Sequence, residues 1–132
     1  MTGIRSLSGW LGIALDARDP RALAGFYSRL LGWPISSEDP TWVTIAMPGH
    51  PANLAFQFDP HHEPPTWPSE PGSPTQQLHL DLGVTDLEAA VADALELGAR
   101  LAAHQPQEDV RVLLDPEGHP FCLYIDDEPP AG

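Results

Sequence analysis

The chain has 132 residues with 19 acidic and 6 basic side chains, giving a formal net charge of −13 at pH 7. That length suits one domain with a working core, and the charge argues against a nucleic-acid backbone or an anionic membrane as partner, because both would repel the surface. Cys122 is the only cysteine, so no intrachain disulfide forms, and no apolar run approaches the roughly 20 residues of a membrane span.

The N-terminal residues Met1-Thr2-Gly3-Ile4-Arg5 lack the apolar core of a signal peptide, so a cytoplasmic protein is expected. Residues 12–17 alternate, with Ile13 and Leu15 on one face and Gly12 and Ala14 on the other, which predicts a half-buried strand. A helix follows. Asp19 is placed to cap it, Pro20 suits its first position, and Leu23, Phe26, Tyr27, Leu30 and Leu31 form a stripe at helical spacing. Gly32 is a natural C-terminal stop. Strands are predicted near 33–36, over 41–47 and over 53–58, with Pro48-Gly49-His50-Pro51 as the turn between the last two. Residues 59–75 carry six prolines and so form neither a regular helix nor a central strand. This segment reads either as a plain linker or, through Trp67, as a packed lid or an arm against a neighbouring subunit.

Gln77-Leu78-His79-Leu80-Asp81-Leu82-Gly83-Val84 restores the alternation, with Leu80 and Leu82 on one face and His79 and Asp81 on the other. Thr85 or Asp86 caps the second helix, Thr85-x-x-Glu88 has the form of a capping box, and Gly98 ends it. Leu87, Val91, Ala94 and Leu95 are expected to face inward. Strands over 99–103, 110–114 and 121–125 complete the chain, the last two joined by Asp115-Pro116-Glu117-Gly118. Residues 127–132 read as a frayed tail. The first strand and its cap recur 67 residues later, and the plan of each half is β-α-β-β-β: 9–58, then the proline-rich 59–75, then 76–126.

A tandem β-α-β-β-β chain of this length resembles the vicinal oxygen chelate superfamily, which includes glyoxalase I, extradiol dioxygenases, fosfomycin-resistance proteins and bleomycin-binding proteins. The residues that carry the likeness are His79-Leu80-Asp81-Leu82 with Asp86-Leu87-Glu88-Ala89-Ala90, Phe26-Tyr27-x-x-Leu30-Leu31-Gly32-Trp33, and Asp115-Pro116-Glu117-Gly118-His119-Pro120-Phe121-Cys122-Leu123. The chain looks most similar to the small bacterial glyoxalase-like proteins. The resemblance implies an α+β fold in which tandem modules form curved mixed sheets around a cavity, and a homodimer.

It also implies metal-ligand positions at the first and last strands of each half, which fall at Gly12, Gln57, His79 and Cys122. Metal-dependent relatives carry His, Gln or Glu there. Gly12 has no donor, Cys122 stands where a glutamate is expected, and Gln57 is a weak ligand. A Gln57–His79–Cys122 set suits Mg, Mn or Fe(II) poorly, and would hold zinc or another soft ion only with the thiol ionised. A cavity without metal is therefore the expectation, with a divalent metal as the alternative.

His79 beside Asp81 is either a general base or a pair bonded for structure. Cys122 and Tyr124 should face the cavity while Phe121 and Leu123 pack beneath the helices. Cys122 reads as a small apolar side chain, or as a reactive thiolate if a cation lies beside it. Gln57 is expected on the cavity face of its strand. Trp42 and Trp67 are candidates for stacking on a ligand or for packing. Arg111 holds an anionic group if it points inward, and is a surface residue otherwise. His50, His104 and His119 read as surface residues, and His61-His62-Glu63 as a solvated loop.

These readings lead to a protein that binds a small organic molecule through Gln57, His79, Asp81 and aromatic walls. The alternatives are a metal-dependent lyase, isomerase or dioxygenase, and a metal-independent enzyme with His79 as base.

Overall fold

A computed structural model of the chain describes residues 3–126; the predicted tail at 127–132 lies outside the described residues. The elements run β1 (Leu11–Ala17), α1 (Pro20–Leu31), β2 (Ile35–Asp39), β3 (Trp42–Ala46), β4 (Ala52–Phe58), β5 (Leu80–Val84), α2 (Leu87–Leu97), β6 (Arg100–Leu101), β7 (Val110–Leu114) and β8 (Pro120–Ile125). They form two four-stranded mixed sheets, ordered β1-β4-β3-β2 and β5-β8-β7-β6. The fold class is α+β, and each half is β-α-β-β-β. The chain divides into two compact units between His62 and Glu63, inside the proline-rich segment.

In the first unit, Asp19 accepts a hydrogen bond from the backbone of Ala22, Pro20 opens α1, and Gly32 closes it at φ 73°. Leu23, Phe26 and Tyr27 are buried, and Tyr27 stacks on Phe56 of β4 with ring centroids 5.6 Å apart. Burying side chains of this size stabilises the unit by about 2 kcal/mol each. Ile13, expected inside with Leu15, is 37% exposed, and the buried residues of β1 are Leu15 and Ala17. The second strand of the unit starts at Ile35 rather than Trp33, just past Pro34, which has no N–H to give a ladder although its carbonyl accepts from Ala46 N of β3.

In the second unit, Asp86 and not Thr85 caps α2, accepting from the backbone of Ala89, and Gly98 ends the helix. This helix is less buried than α1. Ala94 is fully covered, whereas Leu95, expected inward, is 42% exposed. β6 is two residues long instead of the five predicted. The side chain of Gln105 ends it by taking the place of a strand: its amide donates to the carbonyls of Ala102 and Val112 while its oxygen accepts from Val112 N.

The β7–β8 turn is built around Asp115, which is fully buried. Its carboxylate accepts from the backbone of Glu117 and His119 and from His119 Nδ1 at 2.8 Å. His119, predicted on the surface, is therefore drawn under the turn with 15% of its side chain exposed. His62 is also buried, against the expectation of a solvated loop, and its carbonyl accepts from Arg18 Nε.

Gly118 sits at φ 88°, and a Cβ there would come within 2.5 Å of Pro64. The glycine thus lets the proline-rich segment lie against this turn.

Asp115→Ala orphans two backbone donors in a closed turn and is expected to cost about 3 kcal/mol in urea unfolding. Asp86→Ala removes one exposed cap and is expected to cost about 1 kcal/mol. Equal losses for the two variants would contradict the buried-turn account.

Candidate functional site

The parallel pairing of β5 with β8 places Asp81 directly opposite Cys122, and Gly83 opposite Tyr124. The antiparallel pairing of β8 with β7 then sets Val112 beside Cys122 and Val110 beside Tyr124. Directly paired residues share a face. One face of the second sheet therefore carries Asp81, Cys122, Val112, Tyr124 and Val110. The other carries Phe121 and Leu123, both buried.

His79 lies one residue before β5 rather than within it, two positions from Asp81 on the same face. Its Nε2 lies 3.1 Å from Asp81 Oδ1. The ligand atoms of His79, Asp81 and Cys122 all lie within 4.8 Å of one another. Burial first, and then the Asp81 carboxylate to which the thiol donates, push the Cys122 thiol above its ordinary value. In this setting Cys122 is a neutral thiol and not a standing nucleophile.

These three residues line a pocket of about 570 Å³, whose other walls are the polar Gln107 and Asp109 and, among others, Trp67, Pro106, Val110, Val112 and Tyr124. Trp67 belongs to the proline-rich segment. Its indole donates to the carbonyl of His104 at 3.1 Å, and the two rings lie 6.0 Å apart. The segment is thus a wall of its own unit's pocket. Tyr124 leans over Gly83, where an added Cβ would meet its hydroxyl at 3.1 Å.

Five of the residues singled out from sequence meet here: His79, Asp81, Cys122, Tyr124 and Trp67. Arg111 does not. Its register partner is Leu123, on the opposite face from Cys122, and its guanidinium donates to the carbonyls of Gln107, Glu108 and Val110. It borders α2, beside Leu87, Val91 and Leu95. Gln57 and Trp42 belong to the first unit, where they are direct partners on β4 and β3, with Asp16 of β1 on the other side of Gln57.

The register also corrects the equivalence drawn between Gln57 and Cys122. A shift of 67 residues carries the pair Ala14↔Ala55 onto Asp81↔Cys122, and the pair Asp16↔Gln57 onto Gly83↔Tyr124. The counterpart of Cys122 is Ala55, and that of Gln57 is Tyr124.

Sequence reasoning missed Val110 and Val112, which alternation about Arg111 signals, and Pro106 and Asp109, which lie in a loop without periodicity.

The resemblance implies a divalent metal, and the donors present decide which class fits. Imidazole, carboxylate and thiol are a poor set for magnesium, which takes oxygen ligands in an octahedron. They match zinc, whose catalytic sites use three protein ligands from these types and leave a fourth position open.

Residues 12–124 match the family model of the glyoxalase-like domain. Solved structures share the fold. A glyoxalase/dioxygenase from Nostoc punctiforme superposes with a TM-score of 0.63 at 22% identity, covering 97% of each chain. TnmS3, an antibiotic binding protein from Streptomyces sp. CB03234, gives 0.60 at 20% identity over 94% of this chain and 100% of its own. A bleomycin-binding protein complexed with bleomycin gives 0.57 at 23% identity over 86% and 95%. No curated protein matches the sequence.

With its thiol held neutral, Cys122 is expected to alkylate with iodoacetamide more slowly than free cysteine at about pH 8.5, and its rate should climb only at higher pH. Asp81→Asn removes the opposing charge and should accelerate the reaction at fixed pH. An unchanged rate in Asp81→Asn would break the assigned Asp81–Cys122 contact.

Proposed function

The chain belongs to the glyoxalase-like domain family, and from that premise we propose that it binds a small organic molecule in the pocket of its second unit. The observation that carries this reading is the pocket itself. At about 570 Å³ it lies within the usual range for small-molecule sites. It joins aromatic and branched apolar walls to a few polar groups, which is how such sites fix both affinity and orientation. Trp67 and Tyr124 offer flat faces. His79, Asp81 and Cys122 offer a polar end.

Asp81 and Asp109 line the pocket, and neither Lys nor Arg does. The ligand is therefore neutral or cationic, with an apolar or aromatic body and a hydrogen-bonding head. Two proteins of the same fold are described as binding an antibiotic and bleomycin, which supports a bulky organic ligand. The family likeness supports a homodimer, and the lone free thiol suits a reducing, cytoplasmic setting. Among the described residues no helix is long and apolar enough to cross a membrane.

A second reading has one observation in its favour: the His79–Asp81 contact of 3.1 Å orients the ring as in a general base. In that case turnover of the bound ligand survives a chelator and disappears in His79→Ala.

A thermal-shift screen of neutral and cationic aromatic compounds should find ligands that stabilise the protein. Trp67→Ala should weaken a hit roughly five- to tenfold in calorimetry, the scale of one lost aromatic contact. Trp42→Ala, in the first unit, should leave it unchanged. A hit equally tight in Trp67→Ala would place the ligand elsewhere.

A further inference from the structure

Arg111, one of six basic residues in a chain of net charge −13, is left outside the ligand pocket. On β7 it pairs with Leu123, and so stands on the face of the second sheet that α2 covers. There it lines a second groove, of about 410 Å³, with Leu87, Glu88, Val91, Ala92 and Leu95. Leu87, Val91 and Leu95 recur every four residues, so they run as one apolar stripe along α2. The chain does not close over this stripe. Leu95 is exposed, and Leu87 and Val91 are only half-buried.

The guanidinium of Arg111 is fixed on one side and open on the other. Its Nη1 donates to the carbonyls of Gln107, Glu108 and Val110. Its Nε and Nη2 donate to no atom of the described residues, and Glu88 forms no ion pair with it there. The Nε–Nη2 edge of an arginine takes a carboxylate through two parallel hydrogen bonds. Here that edge keeps its donors while three carbonyls hold the head in place, so little side-chain freedom is lost on binding.

We propose that this groove binds a small amphipathic monocarboxylate, with the carboxylate on Arg111 and the apolar body along Leu87, Val91 and Leu95. Its volume lies near the lower end of the range for small-molecule sites, which suits a short acid rather than a peptide. The net charge of the chain opposes an anion at long range, but salt screens that repulsion beyond about 8 Å, whereas Arg111 acts at contact. Glu88 is exposed, so water weakens its repulsion.

The expected ligand is opposite in charge to that of the first pocket, which Asp81 and Asp109 line without a cation. The two sites lie on opposite faces of the second sheet. Failure of this one would leave the first reading intact, and a failed screen at the first pocket would leave this one intact.

The test is a methyl-region NMR titration of the full chain with octanoate, with octanol and octylammonium as matched controls. Octanoate should saturate at one equivalent and shift the methyl signals of Leu87, Val91 and Leu95. The two controls should bind at least tenfold more weakly, the scale of a lost hydrogen bond to a charged group, and Arg111→Gln should weaken octanoate by about the same factor. Leu95→Glu leaves the bonds from Arg111 to the three carbonyls in place, adds an anion to the groove and should abolish binding. Glu88→Gln removes an anion and should tighten it. Octanol bound as tightly as octanoate, octanoate affinity unchanged in Leu95→Glu, weaker binding in Glu88→Gln, or no saturable shift would each overturn the proposal.

Discussion

The parallel pairing of β5 with β8 is the constraint on which the candidate site depends. The two strands are separated by α2, β6 and β7, and they meet with Asp81 opposite Cys122. A slip of one residue would set Cys122 beside Leu80 or Leu82 and turn it to the face that α2 covers. In the observed register carboxylate and thiol face each other, and the imidazole of His79 joins them from just outside the strand. β7 extends the same face with Val112 and Val110, and Tyr124 occupies the position freed by Gly83. The turn buried around Asp115 ties β7 to β8. Gly118 in that turn admits Pro64, at the start of the segment that brings Trp67 to the pocket.

The first unit has the same topology and a different content. β1 runs parallel to β4 in the same way, but the equivalent face offers Gly12, Ala14 and Ala55. Its polar row lies one step along, through Asp16, Gln57 and Trp42. Its core is aromatic, with Tyr27 packed between Phe26 and Phe56. One repeat carries the larger packed core, and the other, whose helix leaves Leu95 exposed, carries the polar cluster. The repeat supplies the scaffold twice and the donor set once.

Much of the fold was legible because local signals carried it. Asp19, Gly32, Asp86 and Gly98 mark both helices, and alternation marks the strands on either side. The elements that shifted were those set by tertiary contacts. β2 moved past Pro34, and β6 shrank where Gln105 substituted for a strand partner. The site was legible residue by residue but not as an assembly. His79, Asp81 and Cys122 were each picked out, yet the contact between Asp81 and Cys122 is a matter of cross-strand register, which no local pattern contains. The same gap misplaced Gln57 by two positions and left open a face for Arg111 that its pairing with Leu123 closes. His119 looked like a turn residue because the burial of Asp115 beneath it leaves no trace in the sequence.

One functional face, where β5 meets β8, is tested most directly by crystals of the full chain grown with a compound from the thermal-shift screen. The compound is expected beside His79, Asp81 and Cys122, with its body against Trp67 and Tyr124. Density for it in the first unit instead, or Asp81 and Cys122 facing away from each other, would contradict that reading.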